Sequence, residues 1–299
     1  MKKKVISLGA AALMFFAGIS AIPMDVFAIG NTAVDYSESV YSLPVDIQYV
    51  SDIEAIDSGV VMLGGDVDAK TLYRYESTDM GDTWIKGEDY LNLIPVDISQ
   101  AEAVDSYGYI SKDGYVGIYV GIEGDNESLT NYNFIVSPEG NVTTLFTPDM
   151  GDNTYYKMYF AGDNVYMEDI RGNMVVADKK SGSITGKVME NTDFLLAEVV
   201  TNGDEIIAVS NSEVDRAYPM EYKVDNAYGK KDELYVIDVE GISTYSEKYG
   251  KQLIYKNKND AVNRNTEIEV MEVLPDGSIL AAIWNVAEED EKIVKYTLK

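Results

Sequence analysis

The sequence predicts an all-β, antiparallel fold, and three observations carry that prediction. Helical periodicity is hard to find after residue 30. Short runs rich in Val, Ile and Tyr recur instead, the composition of strands. The segments between them carry turn chemistry, in which Gly supplies positive φ and Pro presets the first turn residue.

The runs are "GVVMLGG" (59–65), "TLYRYES" (71–77), "YVGIYVGI" (115–122), "NFIVS" (133–137), "NVYMED" (164–169), "MVVAD" (174–178), "EIIAVS" (205–210), "ELYVID" (233–238), "SILAAIW" (278–284) and "KIVKYTL" (292–298). The turns include "SPEGN" (137–141), "KKSG" (179–182), "TNGD" (201–204) and "LPDGS" (274–278). Strands and turns group into rough units at about 45–92, 95–147, 154–190, 193–255 and 262–299. A period of about 40–50 residues with several strands per unit is the mark of a β-propeller. About five antiparallel blades are expected, with six or seven as the alternative count. A β-sandwich would account for the strands but not for their grouping.

The last unit supplies only about three strands. The strand-like segment "VDYSESVYSL" (34–43) precedes the first unit. Pairing a terminal strand with the last sheet removes exposed edges, so 34–43 is expected beside 292–298.

The chain opens with Lys2, Lys3 and Lys4, an apolar run, and "VFA" at 26–28. That is the pattern of a secretory signal peptide, with cleavage expected after Ala28. Residues 29–299 are then one domain, interrupted by the long polar segment 211–233. The expected product is extracellular and monomeric, with no membrane span.

Composition narrows the chemistry. A net charge of −27 disfavours nucleic acid and acidic membranes as partners. Neither Cys nor His occurs. Disulfides, thiolate chemistry, Ser-His-Asp nucleophiles and His-ligated zinc are therefore excluded. Carboxylate, Tyr, Lys and Arg chemistry is left. No cofactor is expected. Calcium is the one ion with a foothold, at "GDVD" (65–68), "DMGD" (149–152) and "EEDE" (288–291), but none has calcium-loop spacing.

One motif stands out. "STDMGDTW" (77–84) places Ser77, Asp79, Gly81, Thr83 and Trp84 between two strand-like runs. Ser77 and Asp79 can accept hydrogen bonds from turn N–H groups, Gly81 allows a left-handed backbone, and Trp84 can cover the turn. The stretch resembles an Asp-box, the repeat motif of bacterial neuraminidases. "TPDMGDNTYY" (147–156) resembles a decayed copy. The resemblance implies a folding element on the outer part of a propeller blade, away from any catalytic centre.

Sialidases clamp a carboxylate with three Arg and use a Tyr–Glu pair with an Asp. This chain has only Arg74, Arg171, Arg216 and Arg264, and the Arg-Ile-Pro motif of that family is missing. A secreted, non-catalytic propeller that binds a glycan or an extracellular protein through one loop face is therefore expected. A carboxylate-based glycoside hydrolase is the alternative. Ligand contact is expected from Arg216, Tyr218, Tyr222 and Tyr228 in the 211–233 segment. The other Tyr are expected in strands and core.

Overall fold

The computed structural model describes residues 35–124, 128–146, 155–169, 174–189, 197–202, 205–210, 234–238, 240–246, 250–256, 262–263 and 265–299. Among these residues no α-helix occurs, and no helix is long and apolar enough to cross a membrane. The fold is all-β and antiparallel.

Strand β1 (Tyr36–Ser42) comes first. Sheet I follows as β2 (Tyr49–Ile56), β3 (Gly59–Asp66), β4 (Thr71–Ser77) and β5 (Ile85–Asp89). Sheet II is β6 (Ala103–Ile110), β7 (Val116–Gly124), β8 (Ser128–Val136) and β9 (Val142–Phe146). Sheet III is β10 (Tyr155–Ala161), β11 (Asn164–Asp169), β12 (Met174–Asp178) and β13 (Ile184–Met189). Sheet IV holds β14 (Ala197–Asn202) and β15 (Glu205–Ser210), and sheet V holds β16 (Leu234–Asp238), β17 (Gly241–Ser246) and β18 (Gly250–Lys256). Sheet VI is β19 (Thr266–Val273), β20 (Ile279–Asn285) and β21 (Asp290–Leu298), with β1 as its fourth strand.

The units legible in the sequence correspond to sheets I, II, III and VI. The unit at 193–255 is the exception, because its strands divide between sheets IV and V. Six small sheets, not the two large ones of a sandwich, hold the described strands. The edge-pairing expectation is met: β1 pairs antiparallel with β21 from Tyr36↔Leu298 to Ser42↔Lys292.

Central strands show why their sequences are apolar throughout. On β3, Val60 and Met62 pack with Leu280, Ala282 and Ile293 of sheet VI, whereas Val61 and Leu63 pack with Val104, Ile118 and Val120 of sheet II. Successive side chains point to opposite faces of a strand. A strand with a sheet on each face must therefore be apolar at every position. The same alternation divides β20, with Ile279, Ala281 and Ile283 toward sheet V and Leu280 and Ala282 toward sheet I. Sheet V packs face to face with VI, VI with I, I with II and II with III in this way. The succession is propeller-like.

The first strands of the sheets lie beside one another in the order β19, β2, β6, β10, β14. Each is the edge of its own sheet, so its outward backbone groups need partners from elsewhere. Side chains of the preceding sheet supply them. The Val50 N–H donates to Glu291 Oε1 and Oε2 (3.3 and 3.2 Å), and the Ala55 N–H to Glu272 Oε1 (3.2 Å). The Gly108 N–H donates to Ser51 Oγ (3.0 Å), and the Ile110 N–H to Asp52 Oδ2 (2.6 Å). On β10, Tyr155 O accepts from Asn133 Nδ2 (2.8 Å) and Tyr156 O from the Tyr109 hydroxyl (2.6 Å).

The run "AEEDE" (287–291) reads as a solvated hairpin tip, and the structure corrects its last residue. Residues 286–289 form the turn, but Glu291 is buried on β21 and reaches β2. A carboxylate is tolerated there because it accepts a backbone N–H of the neighbouring sheet.

Candidate functional site

The Ser77–Trp84 turn joins β4 to β5. Ser77 Oγ accepts from the Gly81 N–H (2.7 Å) and the Asp79 N–H (3.4 Å), and donates to Asp79 Oδ1 (2.7 Å). Asp79 accepts from the Thr83 N–H (2.9 Å) and hydroxyl (2.6 Å). Gly81 has φ +86°, and Met80 before it is also left-handed at +57°. Trp84 and Met80 pack onto the core between sheets VI and I, and Trp84 Nε1 is buried without a hydrogen-bond partner. Hydrogen bonds from Thr83 and Ser77 hold the Asp79 carboxyl down at about 2. Thr83 is exposed and Ser77 is buried at the end of β4. The carboxylate is committed to the turn, as a folding element requires.

Two shorter turns repeat this chemistry. In the β6–β7 turn, Ser111 Oγ accepts from the Tyr115 N–H and donates to Asp113 Oδ1 (both 2.8 Å). In the β8–β9 turn, Ser137 Oγ accepts from the Asn141 N–H (3.2 Å) and donates to Glu139 Oε2 (2.8 Å). The pattern Ser-x-acid-Gly at 111–114 and 137–140 is the signal that could have found them.

Between these turns and the β12–β13 turn of sheet III lies a cleft of about 200 Å³. It is lined by Tyr115, Ile135, Ser137, Glu139, Asn141, Thr143, Lys179 and Lys180. Lys179 is the anchor. Its side chain is buried, and its Nζ donates to Asp113 Oδ2 (2.7 Å) and Gly162 O (2.5 Å). It also lies 5.1 Å from the centre of the Tyr115 ring. Partial burial raises the Asp113 carboxyl, and the hydrogen bonds from Lys179 and Ser111 more than offset that, leaving it below the usual carboxylate range. Lys180 is mostly exposed and pairs with Asp163 at 3.1 Å. Both lysine charges are thus matched, and the remaining groups are hydroxyls, an amide, an aromatic ring, the Ile135 side chain and the Glu139 carboxylate, which accepts from the Ser137 hydroxyl. Such a lining suits a neutral hydrogen-bonding ligand.

A second concentration of polar groups follows the first strands. Asp52 and Glu54 on β2, Asp105, Tyr107 and Tyr109 on β6, and Glu269 and Glu272 on β19 all carry raised carboxyl or phenol values, burial being the largest cause in each. Asp52 reaches about 7, although the Ile110 and Ile53 N–H groups work against burial. Glu272 reaches about 8, and Glu54 is raised by burial and then by the neighbouring Glu272 and Asp52 charges. Sequence reasoning named none of these carboxylates, because 51 acidic residues offer no positional signal until the strands are aligned.

Arg216, Tyr218, Tyr222 and Tyr228, expected to touch ligand, lie outside the described residues, as do residues 147–154 of the second motif copy. Arg171 and Arg264 lie outside them too. Arg74 is bound to Glu76 at 2.7 Å on sheet I. Of the three calcium stretches, 149–152 is outside the described residues. Asp66 caps its own turn by accepting from the Ala69 N–H (2.8 Å), and Glu288 pairs with Lys292 (3.0 Å). Among the described residues, no group of three or more acidic side chains is placed to hold a metal ion. No protein-family model and no curated protein matches the chain.

Proposed function

We propose that the protein is a secreted, non-catalytic β-propeller that binds a glycan or an extracellular protein on the face built from its hairpin turns. The observation that carries this is the cleft between sheets II and III, where Tyr115, Ser137, Asn141 and Thr143 surround a buried Lys179 already neutralised by Asp113. A small number of convergent polar groups around an aromatic ring is how sugar hydroxyls are recognised. In this proposal the Ser77–Trp84 turn is an Asp-box in a structural role, supported by the commitment of Asp79 to Thr83 and Ser77.

One observation favours a second reading, a carboxylate-based glycoside hydrolase. Glu54 and Glu272 are interacting carboxyls with raised values, the property of a catalytic acid beside a carboxylate. A single screen separates the two. The protein is titrated with a panel of oligosaccharides by calorimetry and incubated with fluorogenic glycosides. Binding without turnover that is weakened at least tenfold in Tyr115→Ala and Lys180→Ala supports the binder. Turnover that disappears in Glu54→Gln or Glu272→Gln establishes the hydrolase.

A further inference from the structure

The cleft between sheets II and III is crossed at both of its ends. Sheet II runs in the order β6, β7, β8, β9, and sheet III in the order β10, β11, β12, β13. Toward β6 and β10, the Asp113–Lys179 pair joins the two sheets at 2.7 Å, and Lys179 Nζ also binds Gly162 O in the β10–β11 turn. Toward β9 and β13, Gly182 of the β12–β13 turn abuts β9. A Cβ there would lie 2.7 Å from Thr143 Cγ2 and 3.2 Å from Thr144 O. Between the two crossings, Tyr115, Ser137 and Asn141 face Lys180, and Ile135, part of the core shared with sheet III, is the floor. The cleft is thus a pit that opens only to solvent above. Its volume of about 200 Å³ is below the roughly 300–1,000 Å³ of pockets for drug-sized ligands, so it encloses one small ring.

We infer that the cleft receives a single uncharged pyranose at the end of a glycan, its ring against Tyr115 and its hydroxyls on Ser137, Asn141 and Lys180, and that it excludes internal units and acidic sugars. The inference rests on the glycan reading of this cleft and narrows it.

Topology of the ligand decides the first exclusion. An internal unit is bonded to the chain on two sides, so a groove that holds it must be open at both ends. A terminal unit has one such bond, which leaves the pit upward. Neither end gives way easily. The Lys179 side chain is buried, and the Gly182 N–H is held by Asp178 O (2.8 Å) in a left-handed turn at φ +70°. Charge decides the second exclusion. Lys179 and Lys180 stand against three carboxylates, Asp113, Asp163 and Glu139. A carboxylate on the sugar would therefore meet net negative charge. Hydroxyls meet no such penalty. Tyr115 offers a flat apolar ring to the C–H face of a pyranose. The Lys180–Asp163 pair is exposed on both sides, so its ammonium can turn to a ligand hydroxyl at little cost.

The test combines calorimetry with amide NMR of the wild type. The probes are the methyl glycosides of glucose, galactose, mannose, N-acetylglucosamine and N-acetylgalactosamine, and oligosaccharides of increasing length that end in each. At least one methyl glycoside is expected to bind and to shift the Asn141, Thr143 and Lys180 amides. Longer chains ending in the same unit should bind within about threefold of it, because the added units stay in solvent. The uronic acid of the same configuration should bind at least about tenfold more weakly. Asn141→Ala should weaken binding by about tenfold, the loss of one or two hydrogen bonds. Affinity that climbs about tenfold with each added unit marks an open groove. That result overturns the inference and leaves the glycan reading standing, as does equal or tighter binding of the uronic acid. An oligosaccharide that binds while those amides stay unmoved places the site elsewhere and also overturns it. If no sugar binds at all, the glycan reading itself fails, and the inference falls with it.

Discussion

Lys295 Nζ lies 2.7 Å from Asp82 Oδ1, joining the last strand of the chain to the turn between β4 and β5. The Tyr41 hydroxyl, from β1, donates to the same oxygen at 3.2 Å. The Lys295 side chain is 7% exposed and that of Asp82 51%. The turn is therefore a fastener between sheets VI and I as well as a local fold. Asp82→Ala leaves a buried ammonium without its partner, and the expected loss is about 1–3 kcal/mol, reduced because Asp82 itself is half in water. Urea unfolding measures it, and a midpoint equal to that of the wild type would contradict the fastener.

The same fastening gives the order of effects within the turn. Asp79 is exposed, so Asp79→Ala should cost less than Trp84→Ala, which strips apolar contact from the core between the two sheets. The Asp79 carboxyl is depressed on folding, so its contribution is present above the unfolded value near 3.8 and lost as pH falls toward 2. The stability difference between wild type and Asp79→Ala should shrink between pH 4 and pH 2. A difference that grows on acidification would reverse the assigned sign.

Strand β1 should matter out of proportion to its length. Tyr36 is buried and meets the Tyr255 ring edge-on at 5.6 Å, which links sheet VI to sheet V. Tyr36→Ala is expected to cost about 3–5 kcal/mol, as for other large buried aromatics. A chain beginning at residue 44 exposes the whole edge of β21 and should melt lower and aggregate more readily. Unchanged melting and solubility would show that β1 is dispensable.

Gly59 opens β3 at φ +146°, and a Cβ there would collide with the Ser77 carbonyl oxygen. Both the backbone angle and the space require glycine. Gly59→Ala should destabilise by at least about 1–3 kcal/mol and displace the start of the Ser77–Trp84 turn. Calorimetry reads the first effect, and loss of the Thr83 amide protection in hydrogen exchange reads the second. A variant with normal melting and protection would remove the steric argument.

The amino-acid pattern by itself determined the strands, the hairpins, the hydrogen bonding of the Ser77–Trp84 turn and the pairing of 34–43 with 292–298. All of these follow from short-range chemistry: β-branched runs, Gly and Asp at turns, and a missing fourth strand in the last unit. Three things were decided only by tertiary structure. The segment 193–255 divides between two sheets, because sheet membership depends on which edges meet. Tyr115, Asn141 and Lys179 come together from separate hairpins of neighbouring sheets, since a cleft needs two sheets packed face to face. Glu272 and Glu291 turn to the seam between sheets VI and I, because the Ala55 and Val50 N–H groups on the edge strand there require acceptors and the chain offers carboxylates. A periodicity can say that a residue faces inward, but only the neighbouring sheet decides what it meets there.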